Sequence, residues 1–353
     1  MPPIRVLIAD DSALMRQTLK RIIGVSSAFD VVGLARDGED AIQKARELRP
    51  DVISMDINMP RMDGITALQT ILHEKICPVV MVSSLTQRGA TTTFECLELG
   101  AFDFVGKPDG TVSANMGVIG ADLMAKLKAA AARGVVNRRP RNEVLRPYKP
   151  AARVEFDKTA RFRAIALGIS TGGPATLHDF LPQVPADLPA SIFLVQHMPP
   201  TFITSFARRL DQSCALKVVE AESGMSIESG VCYVAPGGMH LCLYRKLTGD
   251  VVIRTPTAPP TLFVPSVSVM MESVLKVYGT DTVGVLMTGI GDDGADQMVA
   301  IKLAGGYTIA ESEETAVVYG MPREAVERGG ASVVAPSHHM AEEIVKAVRR
   351  RIG

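Results

Sequence analysis

Three residues far apart in this 353-residue sequence, Ser170, His197 and Asp293, have the types needed to cut an acyl bond. Ser170 is the centre of the G-x-S-x-G pentapeptide at 168–172. In such a pentapeptide the glycines allow a sharp turn between a strand and a helix, which exposes the serine hydroxyl. His197, and the pair Asp292-Asp293, each follow another short apolar run. Nucleophile, base and orienting acid are what acyl transfer requires.

The pentapeptide alone leaves alternatives open. It is also compatible with a structural glycine turn or with a phosphate-binding helix N-terminus. Asp292 and Asp293 lie in a glycine-rich loop, where either could cap the helix predicted to begin near Gly294. The chain order Ser, His, Asp differs from the Ser, Asp, His order of the α/β-hydrolases, so the sequence predicts a different fold.

A second group of chemically capable residues lies in the first third of the chain. Asp10 and Asp11, Asp56, Ser83 and Lys107 each stand at the end of a predicted strand. Because parallel strands present their carboxyl ends at one edge of a sheet, we expect these side chains to converge. Clustered carboxylates repel one another unless a cation joins them, and oxygen ligands suit Mg²⁺. The aspartate Asp56 can attack phosphorus to form an acyl phosphate; the alternative is that each aspartate merely caps a helix or starts a loop.

The elements that position this acidic group alternate regularly over residues 1–133. Five apolar runs are predicted strands, at 4–9, 30–35, 51–55, 78–82 and 101–105. Helical patterns follow them, the first built on Leu14, Leu19, Ile22 and Ile23 and the others at 37–48, 65–73, 89–99 and 118–133. Five strand-then-helix units predict an α/β domain with a doubly wound parallel sheet, a (βα)5 fold.

The remaining chain divides into a linker and a second domain. Residues 134–160 carry three prolines between Pro140 and Pro150 and are rich in Lys and Arg, a composition typical of a tether. From 161 to 353 a second α/β domain is predicted, with a mainly parallel sheet and one antiparallel hairpin. Its strands are 163–167, 191–195, 231–235 and 283–287, the hairpin joins 240–244 to 251–254, and the helices are 201–210, 267–278, 295–303 and 339–350.

Composition excludes several classes of protein. Lys+Arg and Asp+Glu are both 38, and a chain with zero net charge is not primarily a nucleic-acid binder. No run reaches the roughly 18 apolar residues of a membrane helix, and the N-terminus lacks a signal-peptide pattern. The five cysteines form no C-x-x-C pair and are typical of reduced cytosolic thiols. We therefore expect a cytoplasmic protein that neither binds nucleic acid nor inserts into a membrane.

The motifs of the first domain resemble the receiver domain of two-component response regulators. The matching segments are Asp10-Asp11, Met55-Asp56-Ile57-Asn58-Met59-Pro60, Gly64, Ser83 and Lys107-Pro108. The resemblance implies that Asp56 accepts a phosphoryl group from a histidine kinase. It implies Mg²⁺ held by Asp10, Asp11, Asp56 and the Asn58 carbonyl, with Ser83 and Lys107 sensing the phosphoryl group.

Over essentially its whole length the chain resembles the CheB family of chemotaxis protein-glutamate methylesterases. The second-domain segments that carry the resemblance are LGISTGGP, VQHMPPTFITSFARRLD, YVAPGGMHL and LMTGIGDDGA. The family implies hydrolysis of γ-glutamyl methyl esters, and deamidation of selected glutamines, on methyl-accepting chemoreceptors. It implies a CheA-type kinase as phosphodonor and no cofactor in the second domain. Ser170 aligns with the nucleophile, His197 with the base and Asp293 with the acid.

Further expectations follow from the same resemblance. Backbone amides of Thr171 and Ile290 would bind the oxyanion, and the unphosphorylated receiver would obstruct the active site. Asp292 stands where the family usually has asparagine, and Ser268 stands where aspartate is common. Two other interpretations compete with this one. In the first, the second domain of the regulator only sequesters a partner, and the intact set of Ser, His and Asp disfavours this. In the second, the chain is a DNA-binding regulator, and the zero net charge disfavours this.

Overall fold

The computed structural model describes residues 2–84, 86–107, 116–134 and 163–350, except for the side chains of residues 87, 88, 116 and 118. The chain divides into two compact units, Met1–Val144 and Leu145–Gly353. Pro108 and all of the predicted 134–160 linker except Gly134 lie outside the described residues. Within the described ranges, no helix has the length and apolar character needed to cross a bilayer.

The first unit is a five-stranded parallel sheet with a helix after each strand. Its strands are β1 Ile4–Ala9, β2 Phe29–Ala35, β3 Val52–Asp56, β4 Val79–Ser83 and β5 Asp103–Gly106, in the order β2-β1-β3-β4-β5. Its helices are α1 Ala13–Ile23, α2 Gly38–Leu48, α3 Gly64–His73, α4 Gln87–Leu99 and α5 Met116–Arg133. The predicted (βα)5 fold is confirmed.

Local sequence explains where these elements begin. The strands β3 and β4 are buried along their whole length, as expected of continuous apolar runs covered on both faces. A short polar side chain accepts a backbone N–H at the start of each of the first four helices, which satisfies one of the unpaired donors there. The capping residues are Ser12, Asp37, Asp63 and Thr86.

The second unit has a seven-stranded parallel sheet in the order β14-β13-β12-β6-β7-β9-β8. Its strands are β6 Arg163–Ile169, β7 Ala190–Gln196, β8 Lys217–Glu220, β9 Val231–Val234, β12 Thr282–Leu286, β13 Tyr307–Glu311 and β14 Val333–Ala335. Strands β10 Cys242–Arg245 and β11 Val251–Arg254 form a separate antiparallel hairpin. The helices are α6 Gly173–Phe180, α7 Pro200–Ser213, α8 Val267–Tyr278, α9 Ala295–Leu303, α10 Met321–Glu327 and α11 Met340–Arg349, with short 3₁₀ turns at Leu181–Gln183, Gly279–Asp281 and Ser337–His339.

Alternate residues of a strand point to opposite faces of the sheet. The central strands of this sheet are buried on both faces, because both faces are covered, as is usual for parallel sheets. On one face Ala166, Phe193 and Val195 share a core with helices α8 and α9 and with the hairpin. Residues of the other register, such as Leu167 and Leu194, are equally inaccessible to solvent. The predicted mainly parallel sheet with an antiparallel hairpin is confirmed.

Each sheet has a position from which the chain extends across the sheet in both directions. In the first unit it lies between β1 and β3, and in the second between β6 and β12. The loops that follow such a pair of strands run to opposite faces and leave a crevice at the carboxyl edge, which is where α/β proteins bind ligands. Asp10, Asp11 and Asp56 lie at the ends of β1 and β3, and Ser170 and Asp293 follow β6 and β12, while Ser83, Lys107 and His197 lie at the ends of β4, β5 and β7.

Replacement of Gly64 by alanine should destabilise the first unit. A Cβ at Gly64 would overlap the backbone carbonyl oxygen of Asp56, so the end of β3 would have to shift. We expect a loss of about 1–3 kcal/mol in the free energy of unfolding of this unit, measured by urea denaturation. Gly117→Ala in α5 is the control, because Gly117 is exposed and an added Cβ there meets nothing within 4 Å. An equal loss in both variants would contradict the assignment of the Gly64 contact.

Candidate functional site

Ser170 directly follows β6 and starts a tight turn into α6. The turn closes through a hydrogen bond from the Gly173 N–H to the Ser170 carbonyl at 2.8 Å. Gly172 has φ +77°, a backbone conformation that favours glycine, and a Cβ there would also overlap Val317. A side chain at Gly289 would lie within 2.8 Å of the Ser170 Cβ. The glycines around Ser170 are therefore required by close packing on both sides of the turn.

His197 stands beside Ser170 at the same sheet edge. Strands β6 and β7 are adjacent and pair Ile169 with Gln196, so Ser170 and His197 are the next residues on neighbouring strands. The His197 N–H donates to the Ile169 carbonyl at 3.2 Å. Neighbouring strands lie about 4.8 Å apart. The register therefore brings the predicted nucleophile and base into one local group.

Asp293 holds the His197 ring from the loop after β12. Asp293 Oδ2 lies 3.0 Å from His197 Nε2. Because an ionised carboxylate can only accept, Nε2 carries the proton. The other ring nitrogen, Nδ1, is buried and has no hydrogen-bond partner among the described residues. Nδ1 is therefore the ring atom available to take a proton from Ser170.

The Asp293 carboxylate is also bound by the first turn of α8. It accepts the backbone N–H of Val267 at 2.7 Å and of Ser268 at 2.9 Å, together with the Ser266 hydroxyl at 3.0 Å. Burial opposes ionisation of this carboxyl, but hydrogen bonds and charge from His197 and hydrogen bonds from Ser268 outweigh it and hold the pKa of Asp293 well below its usual range. Asp293 is thus a fixed anion at a helix N-terminus.

The structure separates the two adjacent aspartates that the sequence left as alternatives. Asp292 is 62% exposed and forms a salt bridge of 2.7 Å with Arg328, which also binds Asp296 and Glu324. His197 has its hydrogen bond with Asp293 and not with Asp292. Ser268, which stands where the resembled family commonly has aspartate, donates its N–H to Asp293 and accepts the Gly294 N–H on its hydroxyl at 2.9 Å. Ser268 therefore ties the Asp293 loop to α8.

The two predicted oxyanion donors lie next to this group. Neither the Thr171 N–H nor the Ile290 N–H donates a hydrogen bond to another described residue. The Ser170 N–H, by contrast, is occupied by the Thr288 carbonyl at 2.9 Å. Thr288 also donates its hydroxyl to the Thr171 carbonyl at 2.8 Å. Thr171 is buried, and buried N–H groups are rarely unpaired in folded proteins. An N–H without a partner at this position is therefore a donor that a ligand can use.

Three residues of the site carry no signal that sequence reasoning could use. The Phe263 ring stacks on the His197 ring with centroids 4.4 Å apart. The fully buried His240 accepts the Ser266 N–H on Nδ1 at 3.1 Å, and its Nε2 lies 2.9 Å from the Pro259 carbonyl, so that it fixes the segment before α8. The buried Gln196 donates hydrogen bonds to the backbone carbonyls of both Ser170 and His197.

The acidic residues of the first unit also converge. Carboxylate oxygens of Asp10, Asp11 and Asp56 lie within 4.8 Å of one another. Lys107 Nζ bridges Asp10 Oδ2 at 2.9 Å and Asp56 Oδ2 at 2.8 Å. Burial and the charge of Asp10 raise the pKa of Asp56, and the hydrogen bond and charge of Lys107 only partly oppose this. This crowded carboxylate set, with Asp10 and Asp56 buried and Asp11 exposed, fits a divalent cation, because a cation would relieve the repulsion.

Other predicted residues of this site occupy distinct positions. Asn58 is exposed, and its backbone forms a hydrogen bond with Asp56 that lowers the pKa of that carboxyl. The N-cap of α1 is Ser12, whose N–H donates to Asp10 Oδ1 at 2.8 Å, so neither Asp10 nor Asp11 is the capping residue. The Ser83 hydroxyl is buried 2.8 Å from the Thr93 hydroxyl of α4. In this structure Ser83 is hydrogen-bonded to α4.

Comparison with known proteins gives two family matches. Residues 165–344 match the family described as CheB methylesterase, and residues 6–112 match the response regulator receiver domain. A protein-glutamate methylesterase/protein-glutamine glutaminase of Syntrophomonas wolfei is 54% identical over 98% of this chain and 100% of its own length. One from Archaeoglobus fulgidus is 43% identical over 99% of each chain. The crystal structure of the Thermotoga maritima CheB methylesterase catalytic domain is 37% identical, with a TM-score of 0.51, and covers 53% of this chain and 98% of that one.

The fold and these matches define a response regulator whose output unit is an α/β domain. More particularly, the chain belongs to the CheB methylesterase family, because the family model covers more than half of it and relatives align with it from end to end.

Asp293→Asn should lower stability in a pH-dependent way. Its depressed pKa means that the folded state favours the carboxylate, so the stabilisation is complete above the unfolded-state value of about 3.9 and is lost as the pH falls below it. At pH 7 we expect a loss of about 2–4 kcal/mol in the free energy of unfolding, and a shrinking difference from wild type between pH 5 and pH 3.

Urea denaturation over this pH range measures the effect. The control is Asp292→Asn, because the Asp292 side chain is mostly exposed. A stability difference between Asp293→Asn and wild type that is the same at pH 7 and pH 3 would refute the assignment of Asp293 as a fixed anion.

Proposed function

We propose that this protein is a phosphorylation-activated hydrolase. It removes methyl groups from glutamate γ-methyl esters, and deamidates selected glutamines, on methyl-accepting chemoreceptors. The observation that carries the proposal is the group formed by Ser170, His197 and Asp293 at the β6–β12 crevice, in a chain aligned end to end with protein-glutamate methylesterase/protein-glutamine glutaminases. The activity in those names supports the same activity here.

In the first half of the reaction His197 Nδ1 removes the Ser170 proton while Oγ attacks the ester carbonyl carbon. The carbonyl oxygen becomes an oxyanion, which the Thr171 and Ile290 amides bind; such a donor is worth about 3 kcal/mol in other enzymes. The intermediate collapses, the bond to the methoxy oxygen breaks, and the proton on His197 Nδ1 passes to the leaving oxygen. Methanol departs, and a glutamyl ester of Ser170 remains.

In the second half water replaces methanol. His197 Nδ1 takes a proton from the water as its oxygen attacks the acyl carbon, and then returns a proton to Ser170 Oγ. The products are a glutamate side chain and free Ser170. Asp293 stays ionised throughout and stabilises the imidazolium form of His197. For a glutamine substrate the leaving group is ammonia, which depends more on protonation by His197 because it is a poorer leaving group than methanol.

In the receiver unit Asp56 is the proposed phosphoacceptor, with a histidine kinase of the CheA type as donor. Asp10, Asp11, Asp56 and the Asn58 carbonyl would hold Mg²⁺, which neutralises charge on the transferring group. Lys107 already bridges Asp10 and Asp56 and supplies a second positive charge. Ser83 is proposed to turn from its α4 contacts toward the phosphoryl oxygens, as the sensing role implies.

The same proposal covers the organisation and location of the chain. We place the receiver at 1–133, a basic tether at 134–160 and the catalytic domain at 161–353, in keeping with family matches at 6–112 and 165–344. The protein would act in the cytoplasm, where receptor signalling helices and kinase are accessible. The oxygen-only ligand set supports Mg²⁺ as cofactor of the receiver, and the serine mechanism needs no cofactor in the catalytic domain.

Ser170→Ala should abolish ester hydrolysis without affecting phosphorylation. Release of methanol from methylated receptor should fall to background because no nucleophile is left, while Asp56 still takes phosphate from a small phosphodonor in the presence of Mg²⁺. Asp56→Asn should show the reverse: basal esterase activity without phosphate uptake or stimulation. Methanol release and phosphate incorporation are measured on the same samples. Retained ester hydrolysis by Ser170→Ala would refute the nucleophile assignment.

A fragment that begins at Ala151 should have a higher unstimulated esterase activity than the full-length protein. Each 1.4 kcal/mol by which the receiver favours an inactive form lowers activity about tenfold. The measurement is the initial rate of methanol release from fragment and full-length protein at equal concentration. Full-length protein treated with phosphodonor is the control and should approach the fragment. Equal rates for fragment and untreated full-length protein would show that the receiver does not inhibit.

A further inference from the structure

Gln196, the last residue of β7, connects the nucleophile and the base through one amide group. Its side chain is almost inaccessible to solvent. Gln196 Nε2 donates to the Ser170 carbonyl at 2.9 Å and to the His197 carbonyl at 3.0 Å. No other side chain of the described residues has hydrogen bonds to the backbone of both Ser170 and His197.

The orientation of this amide is determined by its neighbours. Both contacts are carbonyl oxygens, which only accept hydrogen bonds, so the NH₂ group must face them. The opposite atom, Gln196 Oε1, is buried and has no hydrogen-bond partner among the described residues. An unpaired buried acceptor disfavours folding, and a hydrocarbon chain of similar length would avoid that penalty. Fold stability therefore does not explain why a glutamine, with its unpaired Oε1, is present at position 196. The two hydrogen bonds of its Nε2 group to the candidate site do explain it.

The bond to Ser170 also sets the direction of the Thr171 N–H. The Ser170 carbonyl belongs to the same peptide group as the Thr171 N–H, and it is held by both Gln196 Nε2 and the Gly173 N–H. In a trans peptide group the C=O and N–H bonds point to opposite sides. Anchoring the carbonyl on the Gln196 side therefore aims the Thr171 N–H, which donates to no described residue, away from Gln196.

The packing around Gln196 leaves this arrangement little freedom. A Cβ at Gly173 would overlap Gln196 Oε1, so the glutamine lies directly against the first turn of α6. The carbonyl of Ser170 is fixed on one side and that of His197 on the other, and the two residues sit on adjacent strands. Displacement of the amide would therefore change the separation of nucleophile and base and the aim of Thr171 together.

We infer that Gln196 is a positioning residue for acyl transfer, which fixes the Ser170 and His197 backbones relative to each other and aims the Thr171 amide at the oxyanion. This inference rests on the proposed hydrolase function. Gln196 itself does not touch the substrate. Its removal affects the chemical step, since small misplacements of reacting groups cost large factors in rate, and leaves substrate binding intact.

The test compares Gln196→Met with wild type in methanol release from methylated receptor. Methionine has a similar length and no hydrogen-bond donor. We expect kcat to fall roughly 10- to 100-fold with KM changed by less than about threefold. The melting temperature should change by only a few degrees, because removal of the unpaired acceptor offsets part of the loss of the two hydrogen bonds from Nε2. The rate at which a fluorophosphonate probe labels Ser170 should fall by a similar factor, because that reaction also needs activated serine. Gln183→Met is the matched control, because Gln183 is an exposed glutamine of the same unit that donates to the Asp179 carbonyl.

Gln196→Asn is the second variant, for use even if the methionine variant does not fold. Its amide is one methylene shorter and cannot reach both carbonyls, so we expect a smaller loss of kcat in the same direction. A folded variant of either kind with wild-type kcat and labelling rate overturns the inference. So does a loss of kcat that vanishes when the temperature is lowered enough to refold the variant fully. Failure of the proposed function is a separate result, because wild type itself would then release no methanol and take up no probe.

Discussion

The charge on Asp293 is the constraint on which the candidate catalytic group depends. This carboxylate is bound by the amides of Val267 and Ser268, by the Ser266 hydroxyl and by His197 Nε2. Ser266, Val267 and Ser268 all belong to the start of α8, and His197 follows β7, so one anion in the loop after β12 binds two other elements of the unit. Against the effect of burial, the hydrogen bond and charge of His197, followed by the hydrogen bonds of Ser268, lower the pKa of Asp293. Because the ionised carboxylate can only accept, the His197 proton is on Nε2. Nδ1, which has no hydrogen-bond partner among the described residues, is therefore the ring nitrogen left to accept a proton.

The two units have their chemically capable residues at the same kind of position, the crevice at the carboxyl edge of a parallel sheet, but the residues suit different chemistry. In each sheet the crevice lies between the first strand of the unit and the strand that reverses the direction of chain travel. In the receiver this crevice collects oxygen ligands and one lysine, which suits a cation and a phosphoryl group. In the second unit it collects a hydroxyl, an imidazole and a carboxylate, together with unpaired backbone amides. The side chains at the strand ends, and not the sheets, distinguish the two chemistries.

Sequence reasoning predicted both sheets because buried parallel strands appear in the sequence as long apolar runs. It predicted the residues at the carboxyl edges of the sheets because polar residues follow those runs. It missed β8, β13, β14 and α10, which are short or lie toward the sheet edge, where periodicity is weak. Residue types alone did not distinguish Asp292 from Asp293, because the difference depends on the N-terminus of α8, a tertiary contact; only the family resemblance selected Asp293. Some residues of the site have contacts that no sequence pattern reveals. Gln196 and His240 form hydrogen bonds with backbone groups, and Phe263 stacks on the His197 ring.

The bond between His197 and Asp293 joins residues 96 positions apart, and its carboxylate lies in the later part of the second unit. During synthesis on the ribosome the receiver emerges first, and domains generally fold as units in that order. The His197 imidazole therefore has no contact with the Asp293 carboxylate until most of the second unit has left the ribosomal exit tunnel. A truncated or nascent chain would hold a folded receiver unit but not the complete candidate catalytic group. Biosynthesis thus delivers the regulator before the activity it controls.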